Sequence, residues 1–276
     1  MTFKDILLHV DSTQFADARI AFAAQLAHIH EAHVTGLYLY PSWALPAYVD
    51  AHLSAELLAQ QYEKTEADVK TAQLKFEKQM RHHGLLTEWR VAKGNPLDIL
   101  VLNARYFDLS ILGQSQDNMP GFVEFDFADN VALESGRPVL VVPSIGVNKL
   151  DIERVLVAWS GSRESVRAVN DSLPILRHAA KVFVLSVNLP KEEHDSDIPG
   201  ADISLHLSRH GVQTDSEMIM GADISIGDVL LSRAADKSVD LIVMGAYGHS
   251  RFRELVLGGA TRELLEHMTV PVLFSH

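Results

Sequence analysis

Three short segments in the first half of this chain have similar counterparts in the second half, in the same order, and this repeat limits the folds that the chain can adopt. The first set is KDILLHVDST (Lys4–Thr13), FDLSILG (Phe107–Gly113) and RPVLVVP (Arg137–Pro143). The second set is ERVLVAWSGS (Glu153–Ser162), VDLIVMG (Val239–Gly245) and VPVLFSH (Val270–His276). Matched segments in a fixed order are the signature of a repeated structural unit. Because 276 residues are enough for two ordinary domains, we predict domains at residues 1–146 and 151–276.

Within each copy, apolar runs typical of strands alternate with helical patterns, giving βαβαβαβαβ. The first copy has predicted strands at Asp5–Val10, His33–Tyr40, Thr87–Val91, Leu109–Gly113 and Pro138–Val142. The second has them at Arg154–Trp159, Lys181–Val187, Gln213–Ile219, Leu241–Gly245 and Val270–Phe274. Continuous Val, Ile and Leu runs indicate strands covered on both faces. We therefore predict an α/β fold with two tandem doubly wound domains, each a five-stranded parallel sheet with flanking helices.

The helices and the sheet edges give further expectations. The first copy has predicted helices at Gln14–His30, Ala47–His83, Pro96–Tyr106 and Asp126–Ser135. In the second of these, an apolar stripe predicted to face the core consists of Val69, Ala72, Phe76 and Met80. The charged stretch Leu189–Gly200 is predicted to be a surface loop. The edge strands Pro138–Val142 and Pro271–Phe274 would otherwise be open for pairing, so we expect the domains to pack as an intramolecular pseudo-dimer, with a homo-oligomer also plausible.

Composition excludes several classes of protein. The net charge of −12 lacks the basic excess that binding to a nucleic-acid backbone requires, so no nucleic-acid partner is expected. The absence of cysteine removes disulfides, thiol nucleophiles and thiolate metal sites. No run is apolar and long enough to span a membrane, and the first residues do not resemble a signal peptide. We therefore expect a cytoplasmic protein without a membrane partner.

The segment Gly245–Thr261, GAYGHSRFRELVLGGAT, carries the clearest chemical signal. Gly245 and Gly248 are expected to leave a buried strand in backbone conformations closed to other residues, and to permit close approach of a ligand. Gly258 and Gly259 open the last helix, whose first turn offers unpaired N–H groups and the positive end of the helix dipole. Donor side chains are added by His249, Arg251 and Arg253. This pattern predicts a phosphate site.

These residues resemble a known family. Gly-x-x-Gly, nine residues, and then Gly with a small residue is similar to the nucleotide-binding motif of universal stress proteins. The turns HVDST and AWSGS resemble that family's Val-Asp-Gly-Ser turn after the first strand. GNP (Gly94–Pro96) and IGD (Ile226–Asp228) resemble the start of its third helix. The resemblance covers nearly the whole chain and implies tandem domains of the adenine nucleotide alpha hydrolase-like fold.

The resemblance also implies a ligand and its contacts. The ligand would be ATP or a related adenine nucleotide, ADP or AMP, with the need for Mg²⁺ left open. Contacts to ribose and phosphates would come from Gly245, Gly248, Gly258, Gly259 and the N–H of Ala260. Val187 would offer backbone groups to the adenine edge, and His249 and Arg251 would lie in the same loop. Two positions depart from the family pattern: Ser160 replaces the usual aspartate, and Gly259 stands where many members carry Ser or Thr.

The first domain departs in the opposite way. Asp11 is present after its first strand, where it is expected to act as a turn or cap residue. The glycine loop is missing, because Gln116 replaces the second glycine and acidic residues approach the last helix, namely Glu124, Asp126 and Asp129. Carboxylates at a helix N-terminus repel phosphate. We therefore predict a degenerate, nucleotide-free first domain.

The sequence also bears on functions other than nucleotide binding. Among the 14 histidines the best metal candidate is the set Asp202, His206 and His210, but surface histidines are the preferred interpretation, and no metal site is predicted. No nucleophile motif is present, no catalytic residue is assigned, and Trp159 could equally shield an adenine or fill the core. Three hypotheses remain: a regulatory, stress-response protein binding an adenine nucleotide, a weak ATPase using the same loop, or a nucleotide-free interaction protein.

Overall fold

A computed structural model of the chain describes residues 2–40, 55–115, 127–147, 149–187, 200–219, 225–246 and 259–276. The strands of the first half are β1 (Asp5–Val10), β2 (His33–Leu39), β3 (Thr87–Ala92), β4 (Leu109–Gly113) and β5 (Val139–Val142). Those of the second half are β6 (Arg154–Ala158), β7 (Lys181–Val187), β8 (Thr214–Ile219), β9 (Leu241–Gly245) and β10 (Val272–Ser275). Each predicted strand lies within two residues of these bounds.

Eight helices lie between the strands of the described part. The first half contains α1 (Ala16–His30), α2 (Ala55–His82), α3 (Pro96–Ala104) and α4 (Phe127–Ser135). The second contains α5 (Arg163–Leu176), α6 (Ala201–Arg209), α7 (Ile226–Asp236) and α8 (Gly259–His267). The predicted start of α2 at Ala47 and most of the predicted loop Leu189–Gly200 lie outside the described residues.

All ten strands form one sheet in the order β3-β2-β1-β4-β5-β10-β9-β6-β7-β8. Within each half every pair of neighbours is parallel, as the continuous apolar runs predict. The halves meet where β5 pairs antiparallel with β10, with Leu140 opposite Leu273. The predicted pairing of the two edge strands is therefore present within a single chain.

The two halves use the same local devices. Asp108, before β4, accepts hydrogen bonds from the N–H groups of Lys4 and Asp5 at 2.8 and 3.2 Å. In the second half, Asp240 accepts the equivalent bonds from Glu153 and Arg154 at 3.0 and 2.8 Å. These contacts match the two halves residue by residue: counting on from them, Asp11 corresponds to Ser160.

Helix caps repeat in the same way. The Asn95 side chain caps α3 by accepting from the N–H of Leu97 at 2.9 Å, with Pro96 in the first turn. Ser225 caps α7 by accepting from the N–H of Asp228 at 3.0 Å. Both caps fall at the GNP and IGD segments, where the sequence predicts that the third helix of each half begins.

Two apolar layers cover the sheet, one on each face and each extending across both halves. One layer is formed with α1, α2, α5 and α6, and the other with α3, α4, α7 and α8. The predicted stripe of α2 is confirmed as core, because all four of its side chains are buried in the first layer. In the described residues, none of the helices has the length and hydropathy needed to cross a membrane.

Candidate functional site

The carboxyl ends of β6 and β9 form a topological switch point in the second half, because the connections from these two strands run to opposite sides. These strands are hydrogen-bonded neighbours, with Val157 beside Val243. The chain leaves β6 for β7 on one side and β9 for β10 on the other. Ligands of open α/β sheets bind in the crevice at such a switch point. We call this place the switch crevice of the second half; the turn after Ala158 and the end of β9 at Gly245 lie at its mouth.

Ser160 lies in the turn that enters α5. Its hydroxyl donates to Ser162 Oγ at 3.1 Å, and Ser162 Oγ accepts the N–H of Ser165 at 3.2 Å, which caps the helix. Gly161 between them adopts φ 71°, in the left-handed region that favours glycine. A neutral, hydrogen-bonded hydroxyl therefore stands where the family pattern has a carboxylate.

Gly245 is required by packing rather than by an unusual backbone conformation. It does not adopt the left-handed conformation, so the expectation that its φ excludes other residues is wrong. A Cβ at this position would lie 2.5 Å from the carbonyl carbon of Glu164 and 2.6 Å from the N of Ser165. Glycine is needed here because the first turn of α5 rests directly on the end of β9. Its contact with a ligand remains a prediction.

Val187 and Trp159 border the crevice on the side of β7. The register that pairs Ala158 with Leu185 brings the end of β7, at Val187, level with the turn at Ser160. The backbone N–H of Trp159 donates to the carbonyl of Leu185 at 2.8 Å. The half-buried indole packs against the first core layer. Of the two interpretations of Trp159, the structure thus supports a packing role.

The N-terminus of α8 provides donors for an anion. The first four N–H groups of a helix have no partner within it, and they carry the positive end of the dipole. The first turn of α8, which includes Gly259 and Ala260, holds no acidic residue and holds Arg262. A Cβ at Gly259 would meet nothing within 4 Å. The surface groove beside it is lined by Ser225 and Ile226 at the start of α7 and, further along α8, by Glu263 and Glu266. Anions bind readily at such positions.

Four predicted site residues lie outside the described residues, so their positions remain predictions. They are Gly248, His249, Arg251 and Gly258. The acidic residues expected near the first half's last helix, Glu124 and Asp126, also lie outside them, as does Gln116. Asp129 falls within α4, but its side chain is not described.

The corresponding crevice of the first half is filled by an arginine. Arg19 Nη2 lies 2.6 Å from Asp11 Oδ2, its Nε donates to the carbonyl of His9 at 2.9 Å, and its side chain is only 4% exposed. A Cβ on Gly113, the counterpart of Gly245, would clash with Arg19 Nη1. The guanidinium therefore occupies the space above the end of β4. Ala168 stands at the matching position in the second half and is also buried.

Asp11 is held as an anion by this environment. Burial alone would raise its pKa, but Arg19, His9 and the hydrogen bonds from Thr13 outweigh burial and lower the pKa to about 2. Thr13 donates to Asp11 Oδ1 through its N–H at 2.9 Å and its hydroxyl at 2.6 Å. These bonds agree with the expectation that Asp11 is a turn residue. Its partner Arg19 was not identified from the sequence, although an arginine in the apolar stripe of Ala16, Ile20 and Ala23 is a usable signal.

The histidine candidates do not converge on a metal site. Among the described residues, no three His, Asp or Glu side chains are grouped so as to hold a metal ion. His206 and His210 lie with ring centroids 4.6 Å apart, and Arg177 Nη2 donates to Nδ1 of His210 at 3.1 Å. That ring nitrogen therefore already accepts a hydrogen bond.

The fold defines a class: a tandem, doubly wound α/β protein whose halves pair through β5 and β10. The sequence model of the universal stress protein family matches residues 2–143 and again residues 151–276. The chain therefore belongs to the universal stress protein family, in its tandem form.

Individual relatives agree with this assignment. The chain is 26% identical to the universal stress protein Slr1230 of Synechocystis, over 98% of this chain and 99% of that protein. A crystal structure of a universal stress protein from Archaeoglobus fulgidus DSM 4304 aligns with a TM-score of 0.76 at 14% identity, covering 98% and 95% of the two chains. A functionally unknown protein from Pseudomonas aeruginosa PAO1 aligns with a TM-score of 0.63 at 14% identity, covering 99% and 92%. The two structures show a shared fold.

Proposed function

We propose that the second half binds an adenine nucleotide at its switch crevice and that the first half binds none. One observation carries this proposal: the two halves share a backbone plan but differ in what fills the crevice. Arg19 and Asp11 satisfy each other above β4, whereas Ala168 and Ser160 place no charge at the matching positions. The first crevice contains its own cation and anion. In the second, the first turn of α5 lies on Gly245, and no ion pair occupies the positions that match Asp11 and Arg19.

The phosphates are the part of the ligand that the described residues support best. The N-terminus of α8 directs backbone N–H groups and its positive dipole end outward, and Gly259 adds no side chain in front of them. Arg262 of the first turn is paired with Glu266, one turn further along the helix, at 2.8 Å, so we assign the phosphate contacts to the backbone N–H groups and not to this side chain. We assign Gly245 to packing beneath the ligand, and Gly248, His249, Arg251 and Gly258 to the loop above it.

Adenine is proposed from the family rather than from the described contacts. Val187 would present backbone groups to the base at the end of β7, and Ser160 would offer a hydroxyl to the ribose instead of a carboxylate. We expect this exchange to weaken binding relative to an aspartate, because hydrogen bonds to charged groups are the stronger kind. Regulation during stress, a cytoplasmic location and assembly into a homo-oligomer are further parts of the proposal.

The test compares nucleotide binding by the purified protein with binding by one variant that carries an added negative charge. Calorimetry with ATP, ADP and AMP, with and without Mg²⁺, should give a measurable Kd for at least one nucleotide. Gly259→Glu should weaken it by at least about tenfold, because a carboxylate then occupies the positive end of α8. The same charge added by Leu205→Glu, on exposed α6 across the sheet, should have no effect.

The same binding experiment distinguishes the two other hypotheses, a weak ATPase and a nucleotide-free interaction protein. Binding with phosphate release that disappears in Gly259→Glu would favour the ATPase. No binding at millimolar concentration, with none of the nucleotides found by mass spectrometry in the purified protein, would refute the proposal and favour a nucleotide-free interaction protein.

A further inference from the structure

Gln114, the residue that follows β4 in the first half, reaches across the join to a helix of the second half. Its Nε2 donates to the carbonyl oxygens of Leu265 at 2.7 Å and of Glu266 at 3.2 Å. Its Oε1 accepts from the N–H of Ser144 at 2.9 Å and from the Ser144 hydroxyl at 3.0 Å. Carbonyl groups can only accept and the Ser144 N–H can only donate, so these partners fix the orientation of the amide.

The two carbonyls that Gln114 contacts belong to the last turn of α8. The final four carbonyls of a helix have no partner within it, so a side-chain donor here satisfies groups that the helix cannot satisfy itself. α8 has nine residues, and its other end carries Gly259 and Ala260 at the proposed phosphate position. Because α8 is so short, hydrogen bonds that hold its C-terminal turn also restrict the position of its N-terminus.

The contact is present on one side of the join only. Ala246 is the counterpart of Gln114, and the two share the same backbone bond: Gln114 N–H donates to Val142 and Ala246 N–H to Ser275, each at 2.9 Å. Alanine has no side-chain donor, so it cannot make the reciprocal bonds to the end of α4. The half with the filled crevice thus holds the last helix of the other half through the residue that follows β4. In the reverse direction, Arg167 of α5 donates to the carbonyl of Gly136, the residue after α4, at 3.1 Å.

We propose that Gln114 is a positioning residue for α8, through which the first half sets the phosphate side of the second half's crevice. This inference rests on the proposed function for its effect on a ligand, but the restraint on α8 does not. In the first half, the residue that follows β4 contacts the last helix of the other half, at the position where the second half continues into its predicted phosphate loop.

The experiment compares Gln114→Glu with Ser144→Ala in the full chain. Gln114→Glu keeps the shape and the acceptor for Ser144 but cannot donate to α8, and its charge faces the negative end of the helix. Hydrogen exchange of the α8 amides should become faster in this variant, while α7 stays as in the wild type. Ser144→Ala removes one bond to Gln114 without touching α8 and should leave both helices unchanged.

Binding gives the second measurement. Gln114→Glu should weaken ATP by about fivefold, the equivalent of one lost hydrogen bond, and leave adenosine unchanged because adenosine has no phosphate to meet α8. A general structural defect would weaken both ligands alike, and that result would overturn the inference. Unchanged exchange in α8, or faster exchange with unchanged ATP affinity, would also overturn it. If the wild type binds no nucleotide, the proposed function fails, and α8 exchange alone decides whether Gln114 is a clamp.

Discussion

Arg19 fills the crevice of the first half with a charged side chain. In the first half its guanidinium lies between the Asp11 carboxylate, the His9 carbonyl and the end of β4, which are the groups around the crevice. Removing one partner of a buried ion pair is costly because the other keeps its charge without compensation. The effects of substituting Arg19 and Asp11 on the free energy of unfolding are therefore not expected to be additive.

Arg19→Met should lower the free energy of unfolding by about 3 kcal/mol, because Asp11 then remains charged and poorly solvated. Adding Asp11→Asn should recover about half of that loss or more, because the isolated charge is removed. Urea unfolding followed by circular dichroism measures both variants. Arg209→Met, at an exposed position on α6, is the control and should stay within about 0.5 kcal/mol of the wild type. Equal costs for Arg19→Met and Arg209→Met would contradict a buried ion pair.

The contacts of individual residues are predicted less completely from the sequence than the elements or the overall fold. The sequence identifies Asp11, Ser160 and Gly245 as strand-end residues, because each follows an apolar run. It does not reveal that Arg19 fills the first crevice, nor that Gly245 is needed for contact with α5. Both facts depend on how a helix lies over a strand, and residue type and spacing do not determine that distance.

At the scale of elements, the start of α5 and the end of β9 form one packed unit. The first turn of α5 lies against Gly245, and the cap by Ser162 fixes where that turn begins. Any side chain at the end of β9 would push the helix start away from the sheet. Since the crevice lies beside this contact, its shape depends on the absence of a Cβ.

Gly245→Ala should therefore destabilise the protein by about 1–3 kcal/mol, the usual cost of overpacking. Thermal unfolding measures this effect, and the matched control is Gly259→Ala. At Gly259 an added Cβ meets nothing within 4 Å, so the change in stability should stay within about 0.5 kcal/mol. Similar losses in the two variants would show that the close approach at Gly245 does not matter for stability.

The elements themselves follow closely from the sequence. Apolar runs such as those of β4 and β9 predict central strands, because only strands covered by helices on both faces need apolar side chains throughout. The outer strands β3 and β8 are more exposed, yet their predicted bounds differ from the structure by one residue each. The largest difference falls at the start of β10, where the apolar run includes Val270 and Pro271 but the strand begins at Val272. Contacts such as Gln114 with α8 join residues about half the chain apart, and no periodic pattern encodes them.

At the scale of the whole molecule, a contact between two histidine rings joins the halves. The two histidines occupy similar positions in the two halves. His30 and His178 each lie three residues before the second strand of their half, and their ring centroids are 5.2 Å apart in an edge-on arrangement. Phe3 packs on the other side of His30, which is 2% exposed. Burial, followed by the positive charges of His178 and Lys4, lowers the pKa of His30 from 6.5 to about 4.

The stability of the joined halves should depend on pH through this residue. Well above pH 6.5, His30 is neutral in both the folded and the unfolded chain. Between pH 6.5 and about 4, only the unfolded chain takes up the proton, so stability falls as the pH falls, by about 3 kcal/mol in total. His30→Phe keeps an aromatic ring and should lose this part of the dependence in urea titrations from pH 7 to 4. His28→Phe, exposed on the same helix, should keep it.

The antiparallel pairing of β5 with β10 has a consequence for how such a chain can change over time. When two separate chains pair through these strands, dilution separates them, and both copies carry the same residues. A covalent connection of a few residues raises the local concentration of one partner near the other to about the millimolar range, at any dilution. A substitution can then enter one copy without entering the other. One partner is free to give up its ligand and specialise as support, provided that its edge strand keeps the side chains that pair with β10.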